Sequence, residues 1–223
     1  MTEAAAAVRD DISTLREADP EPGPERLNAL CDGVVAIALT VLALEIRLPE
    51  GSREPLRATL VEVLPGVLSF LLSFAVISGF WLAHHRLTRR VRHTSRGFNL
   101  ANIGFMLTLV SLNFPTAALA RHGDSDPWAV VLYAAVVGAT GIMLLLVVTL
   151  AHRQGLLVPA ADGAERRAAL VVVAWPTVVF LASIPLAPVH PLAAMLIWTL
   201  AAFGPVARRL TTQGRLADGV TTH

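Results

Sequence analysis

Long apolar blocks follow one another through the 223-residue chain, and most are about as long as a bilayer is thick. A transmembrane helix needs about 20 largely apolar residues to cross about 30 Å of hydrocarbon. Charged residues make up only 16% of the chain, whereas soluble domains contain about a quarter. The sequence therefore predicts an all-α membrane protein with six spanning helices. Their approximate bounds are 25–48, 60–85, 100–119, 128–151, 168–186 and 192–207.

Composition divides the chain into three parts. Residues 1–25 are polar and end in a proline-rich linker, residues 26–207 hold the apolar blocks, and residues 208–223 form a polar tail. We therefore expect a six-helix transmembrane domain between two cytoplasmic segments. Cys31 is the only cysteine, which excludes an intramolecular disulfide. The net charge of +1 gives no support for a nucleic-acid partner, and none is expected.

The distribution of arginines predicts how the helices cross the membrane. The loop after the second block carries five arginines and no acidic residue, and further arginines occupy the loop after the fourth block and both terminal segments. Because basic residues are enriched in cytoplasmic loops, we predict that both termini lie in the cytoplasm and that the chain resides in the plasma membrane. The five arginines are Arg86, Arg89, Arg90, Arg92 and Arg96.

The first apolar block has a polar start and a continuous apolar stripe. Asp32 lies at its start, and Thr40 is the only hydroxyl side chain in the apolar run that follows. At 100° per residue, Val41 and Leu44 fall within about 40° of Ile37, and Thr40 lies about 60° to the side. Copies of this stripe around a symmetry axis would form a narrow apolar neck beside a hydroxyl ring. Packing against neighbouring helices would produce the same periodicity, so the pattern alone leaves both interpretations open.

Two charges of the first helix need partners on other helices. Arg26 and Asp32 are six residues apart, or about 240° around the helix, which rules out an ion pair along one face. Because isolated charges are costly in a membrane, we expect both to join polar side chains of the second and third helices. The predicted network that braces the first helix comprises Arg26, Asp32, Trp81, His84, His85 and Asn102.

The same groups suggest two functional alternatives, a proton relay and a metal site. His84 and His85 lack further histidine or carboxylate ligands at metal spacing, so no metal is expected. Glu45 follows the apolar run and has two interpretations. At a pore mouth it would raise the local cation concentration, and as an interfacial residue it would pair with Arg47 or Arg53.

Neither an enzyme nor a cofactor is expected. No serine occupies the glycine-flanked turn that hydrolases use, so catalytic residues are not assigned. The fourth block instead carries Ala134, Gly138 and Gly141 at helical spacing, a pattern that predicts close packing between helices.

The start of the first helix resembles the transmembrane protein 175 family of potassium channels, in its short single-repeat bacterial form. That family has an Arg-x-x-x-Phe-Ser-Asp motif followed by small and apolar residues, and here Leu30 and Cys31 replace its Phe and Ser. The resemblance covers about the first 120 residues. The matching residues are Arg26, Asp32, Gly33, Ala36, Ile37, Thr40, Leu44, Glu45 and Ile46, followed by Ser69, Phe70, Phe80, Trp81, His84, His85, Asn102, Phe114 and Pro115.

The resemblance implies a homotetramer of six-helix subunits in the lipid bilayer, with helix one around a central pore for potassium and other monovalent cations. Ile37 would form the narrowest apolar ring, and Thr40 would form a ring that affects potassium selectivity. Val41 and Leu44 would continue the lining, and the polar network would hold helix one in place.

Three functions remain open on the sequence. A passive, potassium-favouring channel accounts for the apolar stripe and is the primary hypothesis. A proton-coupled transporter or a proton-conducting protein would instead exchange protons at Asp32 and the histidines. A membrane scaffold would transport nothing. The oligomeric state separates these functions, because a monomer would leave the stripe without symmetry mates.

Overall fold

Seven helices make up the part of the chain that the computed structural model describes, which is residues 23–46, 55–123, 125–158 and 163–201. Of the polar segments predicted at residues 1–25 and 208–223, residues 1–22 and 208–223 lie outside this part. The helices are α1 (Pro24–Leu44), α2 (Leu56–Thr88), α3 (Arg96–Ser111), α4 (Asn113–His122), α5 (Pro127–Arg153), α6 (Gly163–Ser183) and α7 (Pro191–Ile197).

The predicted all-α membrane architecture is confirmed. Five segments of the described residues are long and apolar enough to cross a membrane: α1, α2, the combined α3 and α4, α5 and α6. The sixth predicted span is described only in part, as a shorter apolar helical segment at Pro191–Ala201. Residues 202–207, its predicted end, lie outside the described part of the chain.

The third predicted span is interrupted near its outer end. Pro115 has no N–H to donate to the carbonyl of Ser111, four residues earlier, and a proline ring crowds that carbonyl. Accordingly α3 ends at Ser111 and α4 begins at Asn113, with Leu112 in a helical conformation between them. The proline therefore marks a junction, and the apolar segment continues to His122.

Helix α5 is the centre of the bundle and packs against α3, α4, α6 and α7. Its contact with α6 is close because a Cβ added at Gly138 would overlap Leu181, and one added at Gly141 would overlap Thr177. Ala134, one turn earlier, is fully buried. The small residues therefore allow the close helix packing that their spacing predicts.

Buried hydroxyl groups link three of the helices near the middle of the bundle. The Ser73 hydroxyl of α2 lies 2.7 Å from the Thr116 hydroxyl of α4 and 3.0 Å from the Tyr133 hydroxyl of α5. Polar side chains buried in a membrane protein need such partners. The contact therefore fixes the middle of α2 against the central helix.

Helix α1 lies at one edge and packs against α2, α3 and α4. The side chains on its other side, among them Ile37 and Val41, are exposed in the described part of the chain. The buried side chains follow a spacing of three or four residues, which is one face of a helix. They are Leu27, Cys31, Val35, Ala38 and Leu42.

A backbone clip joins two loops at the arginine-rich end. The Arg92 N–H donates to the Leu156 carbonyl (2.9 Å), and the Val158 N–H donates to the Arg90 carbonyl (2.8 Å). Arg90 also forms an ion pair with Glu165 of α6. The loops after α2 and α5 therefore lie on the same side of the membrane, as the arginine distribution predicts.

Replacing Gly141 with alanine should destabilise the bundle. The added Cβ would overlap Thr177 of α6, and overpacking of this kind costs about 1–3 kcal/mol. The midpoint of thermal unfolding in detergent should fall. Gly66→Ala on α2 is the matched control, because a Cβ there meets no atom within 4 Å. It should stabilise α2 by up to about 1 kcal/mol. Equal effects of the two substitutions would contradict the close contact between α5 and α6.

Candidate functional site

The exposed face of α1 carries the predicted pore-lining residues. Ile37 is 64% exposed and Leu44 is 68% exposed, whereas Leu42, between them in sequence, is fully buried. Thr40 and Val41 are also exposed. We call Ile37, Thr40, Val41 and Leu44 the α1 stripe. All four side chains are exposed among the described residues, so packing between the described helices does not account for the stripe.

The Thr40 hydroxyl has a defined orientation. Its Oγ1 donates to the carbonyl of Ile37 at 2.8 Å, one turn earlier on the same helix. The hydroxyl proton is therefore used within α1, and the oxygen lone pairs remain available on the exposed face. Such an oxygen is suited to accept a cation or a water molecule.

Asp32 is held by α2. The Trp81 indole N–H donates to Asp32 Oδ1 at 2.7 Å, and His85 Nδ1 lies 4.0 Å from the same oxygen. The rings of Trp81 and His85 stack with centroids 5.2 Å apart. These contacts restrict the carboxylate and connect the start of α1 to the end of α2.

His84 connects α1, α2 and α3 in the interior. Its Nε2 lies 2.7 Å from Asn102 Oδ1, and the Asn102 amide nitrogen donates to the carbonyl of Phe98. The Asn102 oxygen must therefore accept, which places a proton on His84 Nε2. In the neutral ring, Nδ1 then accepts from the Cys31 thiol, whose sulfur is 3.5 Å away.

The two sets of contacts fix the rotation of α1. Cys31 and Asp32 are adjacent, so their side chains leave the helix about 100° apart. One is held by His84 and the other by Trp81, so rotation of α1 in either direction would break at least one contact. The direction of the α1 stripe, which begins one and a half turns later, follows from this restraint.

The structure brings together most of the predicted bracing network. Asp32, Trp81 and His85 form one group, and His84 and Asn102 form a second group that also includes Cys31. Arg26 is exposed in the first turn of α1, and no hydrogen bond or ion pair joins it to either group among the described residues. Its place in the network therefore stays a prediction.

Two side chains around His84 were not predicted from the sequence. The resemblance gives Cys31 only as a replacement for the family's serine, yet its thiol contacts His84. Phe105 stacks on the His84 ring with centroids 5.1 Å apart. The available signal was spacing, because Phe98, Asn102 and Phe105 share one buried face of α3.

Glu45 lies beside Arg121 at the opposite end of α1. Its Oε2 is 3.9 Å from Arg121 Nη2. The predicted alternatives, Arg47 and Arg53, lie outside the described residues. Glu45 and Arg121 also line a cavity of about 380 Å³ together with Glu62. Among the described residues, no three histidine, cysteine, aspartate or glutamate side chains converge as a metal site.

A family profile described as endosomal/lysosomal potassium channel TMEM175 matches residues 26–112. This segment carries the contacts of Cys31, Asp32 and His84. The chain is therefore similar to the TMEM175 family over this segment, which is less than half of its length. With its five apolar spans, it is therefore a multi-pass membrane protein.

Similar TMEM175 proteins come from bacteria and animals. A potassium channel of Chamaesiphon minutus is 40% identical over 110 residues, which are 48% of this chain and 54% of that protein. One from Chryseobacterium is 36% identical over 84 residues, covering 38% of this chain and 42% of that protein. The human endosomal/lysosomal proton channel TMEM175 is 34% identical over 110 residues, covering 44% of this chain and 22% of that protein. The matches span about half the length of the bacterial relatives or less.

Solved TMEM175 structures share the fold. A crystal structure of a lysosomal potassium-selective channel TMEM175 homolog from Chamaesiphon minutus has a TM-score of 0.73 and 26% identity, covering 82% of this chain and 97% of that one. The potassium channel MtTMEM175, crystallised with a nanobody fusion protein, has a TM-score of 0.59 and 19% identity, covering 84% of this chain and 93% of that one. The second likeness supports the fold alone.

A double-mutant cycle should reveal the coupling between His84 and Asn102. His84→Phe and Asn102→Leu each leave one buried polar group without its partner, at a cost of about 1–3 kcal/mol. The double variant should be at least about 0.5 kcal/mol more stable than the sum of the single effects predicts. Thermal unfolding in detergent is the measurement. Ser73→Ala combined with His84→Phe is the control. Ser73 belongs to the separate cluster with Thr116 and Tyr133, so the losses of stability from these two substitutions should add. Additivity in both cycles would contradict the contact.

Proposed function

We propose that this chain forms a passive, potassium-favouring cation channel whose pore is lined by α1. The observation that carries the proposal is the α1 stripe, an exposed apolar face with a hydroxyl that lies about 130° around the helix from the buried face. Its four side chains are all exposed in the part of the chain that the structure describes. The names of the bacterial relatives, which are potassium channels, support the same function.

A homotetramer supplies the missing partners of the stripe. One subunit contributes a single α1, whereas a closed pore needs several copies around a rotational axis. The edge position of α1 supports this arrangement, because α2, α3 and α4 all pack behind it. Subunits can therefore meet through α1 without disturbing the bundle. Four copies is the number that the family resemblance implies.

The stripe would form a short neck with two kinds of surface. Ile37 and Leu44 are seven residues apart, so the apolar rings would extend over about 10 Å of the axis. A narrow apolar neck obstructs ions by excluding water. The Thr40 oxygens lie between these rings, where they would replace part of the hydration shell of a cation. Ile37 and Val41 would therefore set conductance, and Thr40 would influence selectivity.

The ends of the pore would differ in charge. Glu45 would lie at one mouth, where a ring of carboxylates attracts cations, but Arg121 beside it offsets part of that charge. The bracing contacts of Asp32 and Cys31 lie at the other end. We place that end at the cytoplasmic side of the plasma membrane, because the arginine-rich loop after α2 lies on the same side of the bundle.

Replacing Ile37 with asparagine should increase potassium flux through the channel in liposomes. A polar ring at the neck removes the dewetting barrier, so water and ions cross more readily. The measurement is flux driven by a potassium gradient, compared with the wild type. Ile37→Leu is the matched control, because it keeps an apolar side chain of the same size, and its flux should stay near the wild-type value.

Unchanged flux in Ile37→Asn would count against the pore, as would a strict monomer in detergent.

The same liposomes test a second candidate function, proton conduction, which the name of the human relative suggests. The contacts of Asp32 with Trp81 and His85 provide titratable groups at one end of α1. A saturable, pH-coupled flux that Asp32→Asn abolishes would favour a proton-coupled protein over the passive channel.

Replacing Thr40 with alanine should reduce discrimination between potassium and sodium. The substitution removes the hydroxyl oxygen from the exposed face of α1 and leaves the apolar rings in place. The reversal potential with potassium on one side and sodium on the other should move towards zero. Thr40→Ser retains the oxygen and should preserve the wild-type value. A reversal potential that is the same in all three proteins would dismiss this role.

A further inference from the structure

An apolar groove of about 450 Å³ lies between α2, α6 and two residues that follow α7, Trp198 and Ala201. It does not include α1, so it is distinct from the proposed pore. Helix α2 lines it with residues spaced three or four apart, which form one continuous stripe. The groove therefore follows the axis of α2. The members of this stripe used below are Leu72, Val76, Gly79, Ala83 and Arg86.

The length of the groove corresponds to one leaflet of a bilayer. Fourteen residues separate Leu72 from Arg86, which is about 21 Å along a helix. Half of the hydrocarbon layer is about 15 Å thick. With Arg86 at the level of the headgroups, the apolar part of the groove is longer than the hydrocarbon depth of one leaflet, so an acyl chain fits along it. Val173 and Pro176 of α6 and Trp198, which directly follows α7, form the other apolar walls.

The charge of the groove is confined to one end. Among the described residues, Arg86 is the only charged one that lines it, and it lies at the arginine-rich end of α2. No ion pair to Arg86 occurs among the described residues, and its side chain is exposed. Basic pockets between transmembrane helices attract anionic headgroups.

We propose that the groove binds one anionic glycerophospholipid per subunit. The guanidinium of Arg86 binds the phosphate, and an acyl chain lies along Gly79 towards Leu72. A single cation next to a long apolar surface fits an anionic lipid. A soluble phosphate would contact only Arg86, and an uncharged apolar molecule would contact only the apolar surface.

Gly79 makes the proposal testable without disturbing the bundle. A Cβ added at Gly79 meets no atom within 4 Å, so this position opens into the groove. Leucine there would occupy the path of the acyl chain. Gly66 on the same helix also has no atom within 4 Å of an added Cβ, but it lines the separate cavity beside Glu45. Gly66→Leu is therefore the matched control.

The test is lipid binding to the full chain in detergent, counted by native mass spectrometry. The probes are phosphatidylglycerol and phosphatidylcholine with identical dioleoyl chains. The wild type should retain one phosphatidylglycerol per subunit, at a concentration about tenfold lower than phosphatidylcholine requires. Arg86→Gln should remove this preference, and Gly79→Leu should weaken retention of both lipids about tenfold. Arg89→Gln, outside the groove, and Gly66→Leu should behave as the wild type.

Four results would overturn the proposal. The first is equal retention of the two lipids by the wild type. The second is the same retention in Arg86→Gln and Gly79→Leu as in their controls. The third is a change of oligomeric state in Gly79→Leu, which would make the groove an interface between subunits. Displacement of phosphatidylglycerol by an equal concentration of glycerol 3-phosphate would also contradict the role of the acyl chain.

Discussion

The direction in which α1 faces depends on two adjacent side chains. Cys31 contacts the buried imidazole of His84, and Asp32 accepts from the indole of Trp81. Neighbouring residues of a helix diverge by about 100°, so two such contacts restrain rotation far better than two contacts on one face would. Helix α3 participates through Asn102, whose amide is oriented by the Phe98 carbonyl. The exposed face of α1 is therefore determined by side chains of α2 and α3 as well as by its own.

The architecture was largely predictable because hydrophobic length and loop charge are local properties of a sequence. The five long spans, the close packing at Gly138 and Gly141, and the shared side of the two arginine-rich loops all follow from spacing and composition. Pro115 removes the hydrogen bond to the carbonyl four residues earlier, so the third span is interrupted at Leu112 and not at the proline itself. The partner of Glu45 could not be assigned, because Arg121 is 76 residues away in the chain and only the fold brings the two together.

The site was predictable in its members and less so in its arrangement. Sequence spacing placed Trp81, His84 and His85 on one side of α2, but it could not separate the two that face Asp32 from the one that faces Cys31 and Asn102. That division depends on the angle between α1 and α2, a tertiary property. The resemblance to TMEM175 supplied roles for Ile37 and Thr40. The structure adds that both are exposed and that the Thr40 hydroxyl donates within its own helix.

The clip between the loops at the arginine-rich end has a consequence for biosynthesis. Arg90 and Arg92 leave the ribosome long before Leu156 and Val158, their hydrogen-bonding partners. The first four spans must therefore enter the bilayer with this loop unpaired, and the pairing forms only after α5 has been threaded. Glu165 follows still later and joins Arg90 when α6 begins. The clip therefore forms only in a chain whose fifth helix has already inserted.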